Sequence, residues 1–172
     1  APGRAARLLN DVAENQLVSI ILPVCNQADH IEPIINEYVK ALEKVQTPYE
    51  IILVTNGCRD NSPEVCRNLS EKNPVIRTLN SESGGWGLAV RLGLKESKGD
   101  LICYTNSART SPEHLVLHIL YAIAFPTVVV KANRKISSIP AGQPSTPTKW
   151  FGSLHDGATT NQCPMEIKSR QI

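Results

Sequence analysis

No stretch of this chain is apolar for long enough to cross a bilayer. A spanning helix needs about 18 such residues, and the most apolar segment, 115–130, is broken by Pro126. The first fifteen residues, APGRAARLLNDVAEN, lack the apolar run of a secretion signal. Aromatic residues make up only 5% of the chain, too few for a platform on which single-stranded bases stack. The net charge is just +2 and the cations are dispersed, so no nucleic-acid partner is expected. The five cysteines (Cys25, Cys58, Cys66, Cys103, Cys163) include no C-x-x-C pair and are odd in number. They read as reduced, mostly buried thiols of a cytoplasmic protein. His114 and His118 are four apart but lack the H-E-x-x-H arrangement and an evident third ligand, so no zinc site is expected. A G-x-S-x-G nucleophile elbow is also missing.

What is present is an ordinary globular composition, 41% apolar and 20% charged, in 172 residues. That length suits one domain with a real core. Strand and helix patterns alternate over 17–131. LVSIILP (17–23) is a short apolar run ending in proline, the pattern of a buried parallel strand. Asp29 and Glu32 form a D-x-x-E capping pattern ahead of Ile31, Ile34, Ile35, Tyr38, Val39 and Leu42 at helical spacing. YEIILV (49–54) is a second strand, and Ser62-Pro63-Glu64 reads as N-cap, first helical position and acidic first turn. PVIRTL (74–79) is a third, weaker strand. A helix spans 86–97 behind glycines, and LICYT (101–105) is a fourth strand. Ser111-Pro112-Glu113 starts another helix, and TVVVK (127–131) is a fifth strand.

This alternation predicts an α/β, doubly wound, mostly parallel sheet with helices on both faces. Ligands of such sheets collect at the carboxyl ends of the strands, where the strand order reverses. Past Lys135 the chain turns rich in Ser, Pro and Thr and loses periodicity. The organisation expected is therefore an N-terminal extension (1–16), a ligand-binding α/β domain (17–135) and a loop-rich C-terminal segment (136–172).

Four segments, VSIILPVCNQADHI, YEIILVTNGCRDNS, NSESGGWGLAVRLGLKESKGDLICYTNSARTSPEHL and VVVKANRK, in this order resemble the family 2 glycosyltransferases. That family runs strand–PxxN, then a second strand ending in an acidic pair and Gly-Ser. N-x-G-x-x-x-A-x-N/R-x-G follows, and then G-D before a strand ending in D-x-D. The resemblance implies a GT-A, Rossmann-like three-layer α/β/α sandwich. It also implies transfer of a sugar from a nucleoside-diphosphate sugar to an acceptor. The tail segment LHDGATTN is similar to the polyprenyl-phosphate branch, which implies a lipid phosphate or a glycan as acceptor. Peripheral association with the inner face of a membrane would suit that acceptor.

Carried over residue by residue, Pro23, Val24 and Asn26 match the turn that meets base and ribose. Thr55 and Asn56 stand at the acidic pair. Asn56 keeps an amide acceptor for a base edge, and Gly57 permits a positive φ; Asp60 reads equally as a turn residue. Gly85 opens the third helix, whose amide end favours a diphosphate, and Arg91 matches the N/R position. Thr105, Asn106 and Ser107 stand at the D-x-D. Hard divalent cations call for carboxylates, so Mg²⁺ or Mn²⁺ is expected to bind weakly there, and no metal ligand is assigned. Lys131, Arg134 and Lys135 are the cations expected to neutralise the diphosphate instead. Asp156 is the nearest candidate for the general base, with Glu166 a distant second. The alternative expectation is a catalytically degenerate relative that binds a nucleotide or a protein. A nucleotidyltransferase-like domain fits less well, because the Arg/Lys glycine-rich loop after the first strand is missing.

Overall fold

Seven consecutive residues, Val18–Val24, are buried along β1, so this strand is covered on both faces and lies inside the sheet. The computed structural model describes residues 16–107, 109–125 and 127–131, together with the backbone of 166–169. The strands are β1 (Val18–Val24), β2 (Tyr49–Asn56), β3 (Ile76–Ser81), β4 (Leu101–Tyr104), β5 (Val130–Lys131) and β6 (Glu166–Ser169); the helices are α1 (Ile31–Leu42), α2 (Ser62–Lys72), α3 (Trp86–Glu96) and α4 (Pro112–Ala124). The sheet order is β3-β2-β1-β4-β6-β5. β1 to β4 are parallel, and β6 runs antiparallel to both β4 and β5. From β1 the chain winds outward to β3 and then crosses back to β4, so the order reverses at the β1/β4 junction.

Alternation along β1 separates two apolar layers. Val18, Ile20, Leu22 and Val24 join a core with residues of α1, α2 and α4, including Ile35, Tyr38, Cys66, Leu69, Leu115 and Ile119. Ile21 faces the opposite layer with Ile52, Val54 and Ala89 of α3. The buried stripe of α1, Ile31, Ile35, Tyr38 and Leu42, has the spacing its sequence predicts. Gly93 lets α3 lie close on β1, since a Cβ there would stand 2.4 Å from Ile21 Cγ2.

At the amino end of the strands, Glu50 is 7% exposed. Its carboxylate accepts from Ser19 Oγ at 2.6 Å, the Lys98 amide at 2.8 Å and Arg77 Nη1 at 2.8 Å. Ser19 Oγ in turn accepts from the Gly99 amide at 2.8 Å. One side chain thus ties β1, β2, β3 and the α3–β4 turn together.

The structure corrects several local expectations. Pro23 does not stop β1 but pairs with Val54 inside it. Its nitrogen faces β4, where pairing has already ended at Ile21↔Tyr104, so the missing N–H costs no ladder bond. The Asp29–Glu32 pattern forms no capping box: α1 is capped at His30, one residue later, without a side-chain bond, and the Gln27 carbonyl takes the His30 and Ile31 amides. Asn61 precedes α2, and Ser62 is its first residue, with the Ser62 hydroxyl accepting from the Gln27 amide at 2.8 Å. Ser111 does cap α4, accepting from the His114 amide at 3.3 Å. The fifth strand shrinks to two residues. β6 comes from beyond residue 135, in a stretch where the sequence shows no element.

Candidate functional site

The turns after β1, β2 and β4 and the start of α3 meet at the carboxyl end of the sheet. Asn26 adopts φ 51°, a left-handed conformation that Asn tolerates better than most residues. Its Oδ1 accepts from the Arg59 amide at 2.8 Å. Asp60 accepts from the Ala28 and Ser62 amides at 3.0 and 3.1 Å. Hydrogen bonds from Ser62 and the Ala28 amide hold its carboxyl below the usual range. Asp60 is therefore the turn residue that joins the first two loops.

Thr55 and Asn56 are 2% and 4% exposed. Thr55 Oγ1 lies 3.2 Å from the Leu79 carbonyl and 2.8 Å from Asn80 Oδ1. Asn56 Nδ2 donates to the Val24 and Val54 carbonyls at 3.0 and 3.3 Å, and its Oδ1 accepts from the Gly85 amide at 3.1 Å. Both amide protons are engaged, which leaves one oxygen lone pair. Gly57, at φ 55°, crosses Gly84 so closely that a Cβ would stand 2.7 Å from Gly84 Cα.

α3 begins at Gly85 with φ 144°, no side-chain cap and no acid in its first turn. The amides of its first turn have no intrahelical acceptor, and they carry the positive end of the helix dipole. Trp86 leans edge-on against Tyr104, ring centroids 5.7 Å apart, and so ties this helix end to the end of β4. Its Nε1–H has no partner among the described residues. Arg91 is exposed on the same helix.

After β4, Thr105 Oγ1 is 2.6 Å from Thr110 Oγ1, and Ser107 Oγ donates to Gln27 Oε1 at 2.9 Å. Asn106 is half-buried between them. Tyr38 donates to the Thr110 carbonyl at 2.6 Å, and burial pushes its phenol well up. Ser107 borders a cleft of ≈ 420 Å³ shared with Ile34, Glu37, Tyr38 and Arg109.

The structure thus brings together Val24, Asn26, Asn56, Gly57, Gly85, Thr105, Asn106 and Ser107. Arg134, Lys135 and Asp156 lie outside the described residues; Lys131 is exposed on β5. Gln27 escapes the sequence reading, because its partners Ser62 and Ser107 are 35 and 80 positions away in the chain, and Tyr38 reads there only as a core position, its bond to the Thr110 carbonyl spanning 72 positions. His118 Nδ1 meets the His114 carbonyl at 2.6 Å, a local helix contact. No group of three His, Cys, Asp or Glu suited to a metal ion occurs among the described residues. With no carboxylate at 105 or 107 and both hydroxyls committed to neighbours, these side chains do not fit a divalent cation.

The family model of Glycosyl transferase family 2 matches residues 19–169. An undecaprenyl-phosphate 4-deoxy-4-formamido-L-arabinose transferase of Edwardsiella ictaluri is 26% identical over 116 residues, 66% of this chain and 36% of the relative. A dolichyl-phosphate beta-glucosyltransferase of Trichomonas vaginalis is 36% identical over 90 residues, 49% of this chain and 27% of the relative. The chain thus spans about a third of the length of the curated relatives it matches. Among solved structures, a Pyrobaculum calidifontis mannosyltransferase in complex with GDP-Man and Mn²⁺ superposes with TM-score 0.55 at 20% identity, covering 72% of this chain and 37% of that one. Glucosyl-3-phosphoglycerate synthase of Mycobacterium tuberculosis, with Mn²⁺, UDP-glucose and phosphoglyceric acid, gives 0.56 at 16% identity, covering 75% and 47%. The fold is the GT-A α/β sandwich of these glycosyltransferases.

Proposed function

The chain belongs to glycosyl transferase family 2, and from that membership we propose that its cleft holds the diphosphate of a nucleoside-diphosphate sugar whose sugar passes to a polyprenyl-phosphate acceptor. The observation that carries this reading is the uncapped start of α3, set at the strand ends where doubly wound sheets take their ligands. Asn56 acts by position: it hangs Gly85 on Val24 and so fixes those amides, while its remaining lone pair faces the base. Pro23, Val24 and Asn26 wall the nucleoside side.

The transfer proceeds without a resident divalent cation, or with one held weakly, because the D-x-D positions are Thr105 and Ser107. The helix end, Arg91, Arg134 and Lys135 neutralise the diphosphate in its place. The acceptor class follows the two relatives named for undecaprenyl and dolichyl phosphate. A phosphate acceptor is already anionic at neutral pH, which asks less of Asp156 as base than a hydroxyl would. Among the described residues no helix is long and apolar enough to cross a membrane. Peripheral contact with the inner membrane face would bring the donor to a lipid acceptor.

Calorimetry with UDP-sugars and GDP-sugars, in Mn²⁺ and in EDTA, tests this. One donor class is expected to bind with Kd changed by less than about threefold between the two buffers. Arg134→Ala with Lys135→Ala should weaken it about tenfold, roughly 1.4 kcal/mol. If neither donor binds, the chain is a degenerate protein-binding relative; if the double variant binds like wild type, the cations play no part.

A companion prediction concerns Thr105→Asp with Ser107→Asp. Thr110 can donate to the carboxylate introduced at position 105, and a rotated Gln27 amide to the one at position 107. The variant should acquire Mn²⁺-dependent donor affinity, at least about tenfold over EDTA. No gain would show that the surrounding cleft, and not only its ligand set, has changed.

A further inference from the structure

The four described cysteines are not alike. Cys66 and Cys103 are buried, and burial pushes both thiols up to about 12. Cys25 is exposed and Cys58 half-buried, both in the turns at the carboxyl ends of β1 and β2, contrary to the expectation that most thiols are internal. The reason is local: Cys25 is the first residue past β1, and Cys58 follows the turn at Gly57.

We propose that Cys25 and Cys58 form an oxidisable pair across the turns leaving β1 and β2, and that closing it lowers the cleft's affinity for a nucleoside diphosphate. The second half rests on the nucleotide-binding reading above. Cys58 Sγ lies 3.4 Å from the Val24 carbonyl, the peptide leading into Cys25. Standard backbone dimensions then put that sulfur within about 6 Å of Cys25 Cα. On the other side of Cys25, the Arg59 amide bonds Asn26 Oδ1 at 2.8 Å. Cys25 is thus bracketed by contacts of its two neighbours to Cys58 and Arg59. Disulfides need Cα atoms about 4.4–6.8 Å apart, a span that small movements of two surface turns can reach. Partial burial, then Cys58 and Asp60, raise the Cys25 thiol above its ordinary value, so its oxidation draws on a minor thiolate fraction.

The chemistry needs a peroxide. The Cys25 thiolate attacks the O–O bond, forming S–O and releasing hydroxide, which takes up the thiol's proton as water. Cys58 sulfur then attacks Cys25, forming S–S and breaking S–O, and a second water leaves. Two thiols lose two electrons and two protons, and one peroxide becomes two waters. The new bond draws Cys58 away from the Val24 carbonyl. That carbonyl also accepts from Asn56, which holds the Gly85 amide. The strain therefore reaches the start of α3.

The test treats the whole chain with hydrogen peroxide, maps linked peptides without reduction, and measures UDP and GDP affinity by calorimetry. A Cys25–Cys58 peptide pair lighter by two hydrogens is expected, with Cys66 and Cys103 still free. Affinity for whichever nucleotide binds the reduced chain should fall about tenfold and return with dithiothreitol. Cys25→Ser should form no link, and its affinity should be the same before and after peroxide. Recovery of Cys25 as sulfinic acid, or linked to Cys163, overturns the pair. A linked pair with unchanged affinity for that nucleotide overturns its effect on the cleft. A reduced chain that binds neither UDP nor GDP defeats the nucleotide reading instead, and the peptide map still decides the pair.

Discussion

Gly57→Val is expected to abolish measurable nucleoside-diphosphate binding and to destabilise the chain by about 3 kcal/mol. Two costs add at this residue. At φ 55° a β-branched side chain pays for left-handed backbone, about 1–2 kcal/mol. The new Cβ would also sit 2.7 Å from Gly84 Cα and 2.8 Å from Gly84 N. Both are main-chain atoms, so the clash cannot be relieved by a rotamer change. The β3–α3 turn must move, and with it the Gly85 amide held by Asn56. Gly87→Ala serves as the stability control, since a Cβ there meets nothing within 4 Å; urea midpoints should put it level with wild type or above. Wild-type stability and UDP affinity in Gly57→Val would show that the close crossing of the two turns is not needed.

Much of the sheet was legible because its strands are continuous apolar runs. β1, β2 and β4 announce themselves in this way, and α1 through its period. What escaped was set by distant pairing. Glu166–Ser169 (EIKS) is too short and too mixed to read as a strand, yet β4 selects it by an antiparallel register, Tyr104↔Glu166 to Leu101↔Ser169. The TVVVK run promised more strand than the two residues that pair with β6. In β1 the proline looked like a stop, and only the early end of β4 shows why it is tolerated.

The site divides along the same line. Its backbone devices, the turn at Asn26, Gly57 and the glycines before α3, are written in residue types that serve few other purposes. The neutral replacements Thr55, Asn56, Thr105 and Ser107 were also visible in sequence, but their partners were not. Thr55, Asn56 and Ser107 bond strands or loops 24–80 positions away, whereas Thr105 bonds Thr110 within its own loop. Internal hydrogen bonds explain why neutral side chains are stable at 1–4% exposure, where unpaired carboxylates would be costly. At these positions neutral side chains cross-link loops and strands.

The opposite end of the sheet keeps its charge, and there Glu50→Ala should cost about 3–4 kcal/mol. The substitution leaves the Arg77 guanidinium, the Ser19 hydroxyl and the Lys98 amide without their shared acceptor. Glu50→Gln keeps the shape and one acceptor oxygen but loses the charge, so a smaller loss of about 2 kcal/mol is expected. Acid provides the sharper test. Burial by itself would raise the Glu50 pKa, but the bonds from Ser19, Lys98 and Arg77 and the Arg77 charge outweigh it, and the folded value falls below the ordinary 4.5. A carboxyl depressed on folding contributes stability that is fully present above the unfolded pKa and is lost as pH falls through the folded one. Urea unfolding should therefore show the Glu50→Gln deficit undiminished from pH 7 to about 5 and narrowing below about 4.5. A deficit that stayed constant down to about pH 3 would mean that the carboxylate's charge does not hold β1, β2 and the α3–β4 turn together. Nucleotide affinity at neutral pH, measured where the variant is still folded, should be unchanged, because this network lies at the amino end of the strands and the cleft at the carboxyl end.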